Sequence, residues 1–593
     1  MKGRLCAVNS VSTHNLYDRS LQKTCKIIPY KGIWATIFGG VHMRMLCYLL
    51  AFFSAFTCFA DDSEVAKKSI VVVICSYNNQ EYYRKNLQTV LDQEYAHFRV
   101  IYVDDCSPDG TGEAVANFIK EHPHGNKVQL IRNKSRKKAM SNLWHAIHSC
   151  RDEEIVVTVD GDDWLPHNKV LSIVASYYND PNVWLAYSNS ITHPEGKPGI
   201  SRPINFSKDK GVRQQPFVTS HLRSFYAGLF KRIRLQDLVF NGGFVSTTHD
   251  IAMLSPMLEM AAGHICFMKE KLYIYNSANP LSDCRSHGGL QEKIRDFIKK
   301  LPPYQPLSVH PAITLHKPED TQVDVVTFSY NRPMQLYAYL QSLYRHTQNF
   351  NLVTVIYRAD NEEYEKGYKI VKEQFPEVKC YRQTNPPKDF KKLTLQAVYN
   401  PNSVSKFVVF AVDDIIIKDK IDFYETAALL NKTGAYGFYL RMGKNINRSY
   451  MAGKADAPPT LLEVDSNTYT WRFSTGGAEW GYPHSVDMTV YRKCDIRSYF
   501  EKGAYSNPNY LEGRWAKQAD KSKFGLCYGV SKIINIPMNI VSSFRNKNLN
   551  FYSAKELLTK FLEGDKIDID AVYQMVNHSP HVNVHPKFIK DHK

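Results

Sequence analysis

The chain has 593 residues, a formal net charge of +17, 44% hydrophobic and 22% charged residues. This composition is typical of a globular protein, and the length predicts about two to four domains. The twelve cysteines form no Cys-x-x-Cys pair, which argues against a zinc ribbon and a thioredoxin-like motif. The densest basic cluster is KSRKK at 134–138, which is too short to indicate nucleic acid, so we expect no nucleic-acid partner.

Residues 1–62 are predicted to be an N-terminal extension that contains a secretory signal. An apolar run at 46–59 follows Arg44 and precedes Ala60 and two acids, which is the pattern of a signal peptide. The run is shorter than the roughly 20 residues that a membrane span needs. The alternative keeps the basic residues of 1–42 as the cytosolic tail of a signal anchor. We therefore expect an exported or membrane-anchored protein, with membrane association as one of its interactions and the cytoplasmic face of a membrane as the alternative location.

The first domain is predicted over 67–300, where buried strands alternate with helices. IVVVICSY at 70–77 and FRVIYVDD at 98–105 are strands, and helical spacing follows each of them. Such alternation predicts βαβ units and a mostly parallel sheet in an α/β fold. Ligands of these sheets bind outside the carboxyl ends of the strands. The polar clusters SYNN, DDCSPDG and DGDDW all lie at such ends.

A second domain, predicted over 323–545, repeats the pattern of the first. The two are separated by a Pro-rich segment at 301–322, predicted to be a linker or a wrapped connector. A tail at 546–593 opens with SAKE, a capping-box pattern that predicts a packed helix. Four matched pairs, each 250 to 255 residues apart, indicate a tandem duplication: Ser76 with Ser329, Asp105 with Asp360, Arg132 with Arg382, and Asp163 with Asp414.

Three carboxylates follow the fourth strand of the first domain, in VTVDGDDWLP at 157–166. Asp160, Asp162 and Asp163 would repel one another unless a cation offset their charge. Hard cations such as Mn²⁺ and Mg²⁺ take carboxylate oxygens, often together with substrate phosphates. The alternative is a loop whose aspartate caps the next helix. The spacing favours a site for Mn²⁺ or Mg²⁺.

These motifs together resemble the start of a family 2 glycosyltransferase. The stretch from VVVICSYNN through YVDDCSPDGT to VTVDGDDWLP follows the family's order, closely over 69–190 and more weakly to about 285. The resemblance implies a GT-A fold, the Rossmann-like fold of nucleotide-diphospho-sugar transferases. With the duplication, we expect two tandem GT-A domains with mixed, mostly parallel sheets.

The resemblance also implies roles for individual residues. Asp162 would bind the metal, and Asp250 would be the general base that deprotonates the acceptor. Asp163 would contact the acceptor side or cap the next helix. The histidine that the family often supplies to the metal after the base is missing from LYIYNSANPLSD, and His287 is the nearest candidate. The nucleotide-sugar would contact Ser76 and Tyr77 at the base, Asp104 in preference to Asp105, Arg136 at the base or phosphates, and Asp160 at the ribose.

The second domain keeps part of this set, so it is either a second transferase or a decayed copy that binds the acceptor. Its paired acids follow KFVVFAV at 406–412, and two later acids are candidate bases. The candidates are Tyr330, Asp360, Asp413, Asp414, Asp487 and Glu512.

The expected function is an inverting, metal-dependent and non-processive glycosyltransferase. It would move a sugar from a nucleotide-sugar donor, most simply a UDP-sugar, to a hydroxyl of a glycan, lipid or protein acceptor. The chain lacks the Gln-x-x-Arg-Trp motif of processive synthases. One alternative is a non-catalytic carbohydrate-binding protein built on decayed transferase domains. Another is a nucleotidyltransferase, although CSYNNQEYY lacks the Gly-rich phosphate loop of that class.

Overall fold

The hydrophobic runs of the first domain form a mixed seven-stranded sheet. The computed structural model describes residues 67–206, 211–280, 288–314, 318–541 and 551–590. The strand order is β3-β2-β1-β4-β6-β5-β9, and four of the six neighbouring pairs are parallel. The strands are β1 (Ile70–Ser76), β2 (Phe98–Asp104), β3 (Val128–Arg132), β4 (Ile155–Asp160), β5 (Leu185–His193), β6 (Arg223–Tyr226) and β9 (Ile265–Asn276), with a separate hairpin of β7 (Val239–Phe240) and β8 (Gly243–Phe244).

The register of this sheet brings the functional strand ends to one edge. β1 pairs in parallel with β2 and β4, so that Ser76 lies opposite Asp104 and Cys75 lies opposite Asp160. β6 runs antiparallel to β4, which brings its first residue, Arg223, opposite Thr158 near the same edge. The helices of this domain are α1 (Tyr83–Leu91), α2 (Thr111–Glu121), α3 (Ala139–His148), α4 (Val170–Tyr177), α5 (Ala227–Phe230), α6 (His249–Met260) and α7 (Gly288–Lys300).

The Pro-rich segment packs along the first domain and is a wrapped connector over its described part. The guanidinium of Arg232 donates to the carbonyls of Pro311 and Ile313, both at 2.9 Å. Gly228 allows this approach, because a Cβ added there would lie 2.1 Å from the Pro311 oxygen. The hydroxyl of Tyr304 donates to Asp237 at 2.7 Å.

The second domain contains a mixed nine-stranded sheet. Its order is β13-β12-β10-β14-β22-β17-β23-β21-β20, and four of its eight neighbouring pairs are parallel. The strands are β10 (Val323–Tyr330), β12 (Phe350–Arg358), β13 (Lys379–Arg382), β14 (Phe407–Val412), β17 (Gly437–Tyr439), β20 (Leu462–Asp465), β21 (Thr468–Arg472), β22 (Thr489–Arg492) and β23 (Phe524–Tyr528).

The prediction of an α/β fold with two mixed sheets is confirmed, although antiparallel pairs make up half of the second sheet. Both sheets share one arrangement in their first half: a parallel order of third, second, first and fourth strand, followed by an antiparallel strand. Small two-stranded pairs complete the second half: β11 (Thr347–Gln348) with β16 (Ile421–Asp422), β15 (Ile415–Ile417) with β24 (Ile533–Asn535), β18 (Arg448–Ser449) with β19 (Lys454–Ala455), and β25 (Asp565–Ile567) with β26 (Phe588–Lys590).

The tail packs on the second domain. Its helix begins with the predicted capping box, in which Ser553 Oγ accepts from the Glu556 N–H at 3.1 Å and Glu556 Oε2 accepts from the Ser553 N–H at 2.6 Å. The helices of this half are α8 (Pro333–His346), α9 (Glu362–Gln374), α10 (Phe390–Val398), α11 (Phe423–Thr433), α12 (Lys493–Lys502), α13 (Pro508–Ala516) and α14 (Ala554–Leu562).

The N-terminal extension, with its apolar run at 46–59, lies outside the described residues, so the signal and the location stay predictions. In the part of the chain that the structure describes, no helix has the length and hydrophobicity that a bilayer span requires.

Candidate active site

The three acids after β4 sit in a turn that α1 holds in place. The side-chain amide of Asn86 donates to the carbonyls of Asp160 at 2.9 Å and Asp163 at 2.7 Å. Gly161 lies between the acids and against β1, where an added Cβ would approach Ser76 Oγ to 2.7 Å and Asn79 Nδ2 to 2.6 Å. Residue 161 must therefore be a glycine for the turn to pack closely against β1. The turn places the three carboxylates in different surroundings.

Asp163 is buried and anchors the turn to β9. Its Oδ2 accepts from the Tyr273 hydroxyl at 2.7 Å, and its Oδ1 accepts from the Asn276 N–H at 2.7 Å. Burial, together with the negative charges of Asp162 and Asp160, raises the pKa of Asp163 well above its usual range. Because both oxygens are engaged within the protein, Asp163 fixes the geometry of the site.

Asp160 faces the open side of the edge, and its side chain is 38% exposed. Its Oδ2 lies 3.2 Å from Nε2 of His221, whose ring stacks on Tyr273 with centroids 4.6 Å apart. Burial alone would raise the pKa of Asp160, but the hydrogen bond of His221 and the charge of Arg223 hold it below its usual range. These contacts favour the ionised carboxylate of Asp160.

His221 and Arg223 connect this turn to Asp250, the predicted base. Nη2 of Arg223 lies 3.0 Å from Nε2 of His221 and 3.7 Å from Oδ2 of Asp250, which is in the first turn of α6. Burial and the charge of Arg223 lower the pKa of His221, which favours the neutral ring. In a neutral ring, Nε2 either donates to Asp160 or accepts from Arg223. A cation beside Asp160 would use that nitrogen's lone pair.

The oxygen and nitrogen atoms at this edge fit a divalent cation. One ligand atom from each of Asp160, Asp163 and His221 lies within 4.8 Å of the others. Asp162, the predicted ligand, is outside this set and receives a 2.7 Å hydrogen bond from the Asn279 amide on Oδ2. Carboxylate ligands suit Mn²⁺ and Mg²⁺, and imidazole is a common ligand of transition-metal ions. Asp160 and His221 could hold the ion, Asp163 is already engaged on both oxygens, and Asp162 as a ligand stays a prediction.

The residues predicted to bind the nucleotide lie beside this edge, at and after the ends of β1 and β2. The guanidinium of Arg136 covers one face of the Tyr77 ring at 3.6 Å, so these two predicted residues meet. Asp105 holds the loop that carries Arg136. Its carboxylate accepts from the backbone N–H groups of Lys137 at 2.8 Å and Lys138 at 2.7 Å, and from the Asn133 amide at 2.8 Å.

Asp104 differs from its neighbour because one of its oxygens is uncommitted. The side chain is buried, and Oδ1 has no hydrogen-bond partner among the described residues. Gly112 leaves it room, since an added Cβ there would lie 2.5 Å from Oδ2. Ser76 is also buried and receives a 3.0 Å hydrogen bond from the Asn79 amide. A buried acceptor without a donor costs free energy, so Asp104 is suited to receive a ligand N–H.

The paired acids of the second domain are held by an arginine that the sequence analysis did not single out. Nη1 of Arg332 lies 3.0 Å from Asp413 Oδ1 and 3.0 Å from Asp414 Oδ2. Its Nε donates to the Asn539 side chain at 2.9 Å, and its Nη2 donates to the Asn539 carbonyl. Burial raises the pKa of Asp413 to about 6, and the guanidinium opposes that shift. The positive charge at the end of β14 is therefore supplied by the Arg332 side chain.

Of the other second-domain candidates, Tyr330, Asp487 and Glu512 line a cavity of about 730 Å³. Tyr330 donates to Asp360 at 2.6 Å, and Arg358 lies 4.4 Å from the centroid of the Tyr330 ring, which repeats the tyrosine–arginine stack of the first domain. Asp360 itself is outside the cavity lining. Asp487 and Glu512 line the cavity, and burial with the charge of Asp487 raises the pKa of Glu512 to about 8.

The sequence analysis missed His221, Arg223, Arg332 and His581. His581 belongs to the tail, which was predicted only to pack, yet its Nε2 lies 3.6 Å from Asp487 Oδ2 in the cavity wall. Arg332 carried a signal, because SYNRP aligned with SYNNQ puts it at the position of Asn79. His287, the histidine suggested for the metal, lies outside the described residues.

Comparison with known proteins gives the class of the first domain. Residues 71–237 match the family model described as glycosyl transferase family 2. The match covers β1 to β6 and ends before Asp250 and before the second sheet. The chain therefore contains a family 2 glycosyltransferase domain, while the duplication of that domain stays a prediction.

Particular relatives are glycosyltransferases. The bifunctional glycosyltransferase pgtA of Dictyostelium discoideum is 25% identical over 219 residues, which cover 33% of this chain and 28% of the relative. The putative teichuronic acid biosynthesis glycosyltransferase TuaG of Bacillus subtilis is 36% identical over 67 residues, which cover 11% and 27%. Among solved structures, S. aureus TarS 1-349 in complex with UDP aligns over 35% of this chain and 60% of that chain, with 15% identity and a TM-score of 0.28. The chain spans 27 to 39% of the length of the curated relatives that it matches.

Proposed function

We propose that the first domain is an inverting, metal-dependent and non-processive glycosyltransferase. It moves a sugar from a nucleotide-sugar donor, with UDP-sugars as the first candidates, to a hydroxyl of a glycan, lipid or protein. The observation that carries this proposal is the continuous polar chain from Asp160 through His221 and Arg223 to Asp250. This chain of contacts connects Asp160, which could bind the metal of a donor, to Asp250, which could act as the general base. Asp160, His221 and Arg223 lie within the residues that match the family 2 model.

The donor would bind across the ends of β1, β2 and β4. The uncommitted Oδ1 of Asp104 suits the ring N–H of a uracil or guanine base. The open face of Tyr77 suits stacking, since Arg136 covers the other face and adds positive charge near the phosphates. Asp160, Asp162 and His221 would hold Mn²⁺ or Mg²⁺, which when bound neutralises a diphosphate leaving group.

Asp250 is the proposed general base. It takes the proton of the acceptor hydroxyl as that oxygen forms a bond to the anomeric carbon. The bond from this carbon to the diphosphate breaks on the opposite side, so the configuration inverts and the nucleoside diphosphate leaves with the electron pair. Arg223, whose Nη2 lies 3.7 Å from Asp250 Oδ2, holds this carboxylate in position.

The test combines thermal shift with donor hydrolysis on the full chain, using UDP-sugars and GDP-sugars with and without Mn²⁺. One donor should raise the melting temperature only with the metal, because ligand binding stabilises the native state by mass action. Asp162→Ala should lose that shift, and Asp250→Asn should keep it while hydrolysis falls. Asp180→Ala, which changes an exposed acid before β5, is the matched control and should behave as wild type. A chain that responds to no nucleotide sugar would contradict the proposal.

A further inference from the structure

The cavity of the second domain has the size of a ligand-binding site, but the Arg332 side chain fills the position at which a cation would bind. It encloses about 730 Å³, within the range of small-ligand pockets. At the end of β14, Arg332 bridges Asp413 and Asp414, where the first domain has the neutral Asn79 at the aligned position. The guanidinium places one positive charge between the two acids. A side chain therefore occupies the position at which a divalent cation would bind.

Several residues that line the cavity contain buried polar atoms without hydrogen-bond partners. Five of its lining residues each hold a buried side-chain atom with no hydrogen-bond partner within the described ranges. Native proteins leave few such atoms, because each costs free energy unless a ligand or water satisfies it. Two are donors, two are acceptors and one is an imidazole nitrogen: Arg441 Nε, Asn539 Nδ2, Asp414 Oδ1, Asn535 Oδ1 and His581 Nδ1. Arg441 itself is only 2% exposed.

The charge of the cavity wall disfavours a diphosphate. Each of the three arginines in the lining is already held by a carboxylate. Arg332 is held by the paired acids, Arg358 Nε lies 2.7 Å from Asp360, and Arg441 Nη1 lies 2.6 Å from Glu479. Carboxylates outnumber arginines in the lining: Asp413, Asp414, Glu479, Asp487 and Glu512 against Arg332, Arg358 and Arg441. A polyanion would enter without a free positive charge to receive it.

We infer that this cavity binds an uncharged, hydroxyl-rich ligand, a segment of a glycan, without a divalent cation. A hydroxyl group both donates and accepts, which matches a wall that contains serine, asparagine and carboxylate side chains. The apolar lining residues Pro387, Met451 and Tyr482 offer surfaces for the C–H faces of a sugar. The binding does not depend on transfer by the first domain. If that domain does transfer sugar, a glycan held here would be at high effective concentration for it.

The test uses the full chain on an array of uncharged oligosaccharides, followed by calorimetric titration of the best binder in EDTA. Gly513 and Asn509 lie on α13 in the cavity wall, and a Cβ added at Gly513 meets nothing within 4 Å. Gly513→Trp and Asn509→Trp should therefore fill the cavity and weaken binding at least tenfold. Gly289→Trp, on α7 of the first domain and equally free of contacts, is the matched control and should bind as wild type.

The outcomes separate this inference from the transferase proposal. Binding in EDTA that both cavity variants weaken supports a glycan site, whether or not the first domain turns over. Three results would overturn it: no neutral glycan binds, the binding needs Mn²⁺, or both cavity variants bind as wild type. Competition by a nucleotide sugar, lost in Gly513→Trp, would instead identify a second donor site.

Discussion

Replacing Arg332 with methionine is the sharpest perturbation that the structure offers. The change keeps much of the side chain's length and removes the charge between Asp413 and Asp414, which are both buried. Breaking a buried ion pair by removing one partner costs about 3–5 kcal/mol, because a charge is left uncompensated. For a cooperative unit of about 150–250 residues, the size predicted for the second domain, that corresponds to a fall in melting temperature of roughly 6–20 °C.

Differential scanning calorimetry of the full chain at pH 7.5 measures this loss. Arg345→Met is the matched control, since Arg345 pairs with Asp570 on the surface, where both side chains are at least half exposed. Exposed pairs contribute about 0–1 kcal/mol, so the control should shift the transition by only a few degrees. Adding Mn²⁺ should restore part of the stability of Arg332→Met, beyond any shift that it produces in wild type through the first-domain site, because only the variant has an unoccupied cation position between Asp413 and Asp414.

The deficit should also depend on pH. Without the guanidinium, the pKa of the acid pair rises above the value of about 6 that Asp413 has in wild type, so the folded variant binds more protons than the unfolded chain. Its stability therefore increases as the pH falls from 7.5 to 5, and the gap to wild type narrows. Equal melting temperatures for Arg332→Met and Arg345→Met, or a gap that does not change with pH, would refute the reasoning.

Three other changes test other parts of the chain. In wild type, the buried Glu259 lies 2.8 Å from Arg213 Nε, and Arg213→Met leaves this carboxylate without its ion pair. The variant should lose about 3–5 kcal/mol of unfolding free energy in chemical denaturation. The exposed control Arg151→Met should lose less than about 1 kcal/mol. Gly161→Ala should abolish the donor-induced thermal shift, because the added methyl would approach Ser76 Oγ to 2.7 Å; a retained shift would show that the turn can relax. Glu512→Gln should stabilise the protein increasingly from pH 4.5 to about 8, since the folded acid has a raised pKa and resists ionisation; denaturant midpoints at pH 5 and 8 that move together would contradict this.

Local sequence patterns predicted the parallel half of each sheet well. Buried apolar runs with helical segments between them fix β1 to β4 and the edge where they end, because both signals are local. The separate environments of Asp104 and Asp105 were not predictable in this way. The Asp105 carboxylate accepts from the backbone at 137–138, whereas Asp104 Oδ1 has no partner among the described residues. This difference depends on how the loop folds back.

The histidine beside Asp160 was missed for a similar reason. The resemblance implies a metal-binding histidine after Asp250, whereas His221 precedes Asp250 and lies next to β6. An antiparallel strand brings residues that are 61 apart in sequence into contact, and SHLRS carries no motif that marks it. Arg332 could have been predicted, since aligning SYNRP with SYNNQ shows a charge at the position where the first domain has Asn79.

The hydrogen bonds by which Asp105 holds the loop at 134–138 affect how a preference among donors could evolve. The carboxylate holds this loop by the main-chain N–H groups of Lys137 and Lys138, which every residue except proline supplies. The side chains of the loop are therefore free to vary without loosening its attachment. A saturation library over 134–137 that excludes proline should yield mostly folded proteins, whereas Lys138 has a φ of 68° that β-branched residues adopt only with strain. The library samples the surface beside Tyr77. If the proposed function holds, a few substitutions there should change nucleotide selectivity at little cost in stability.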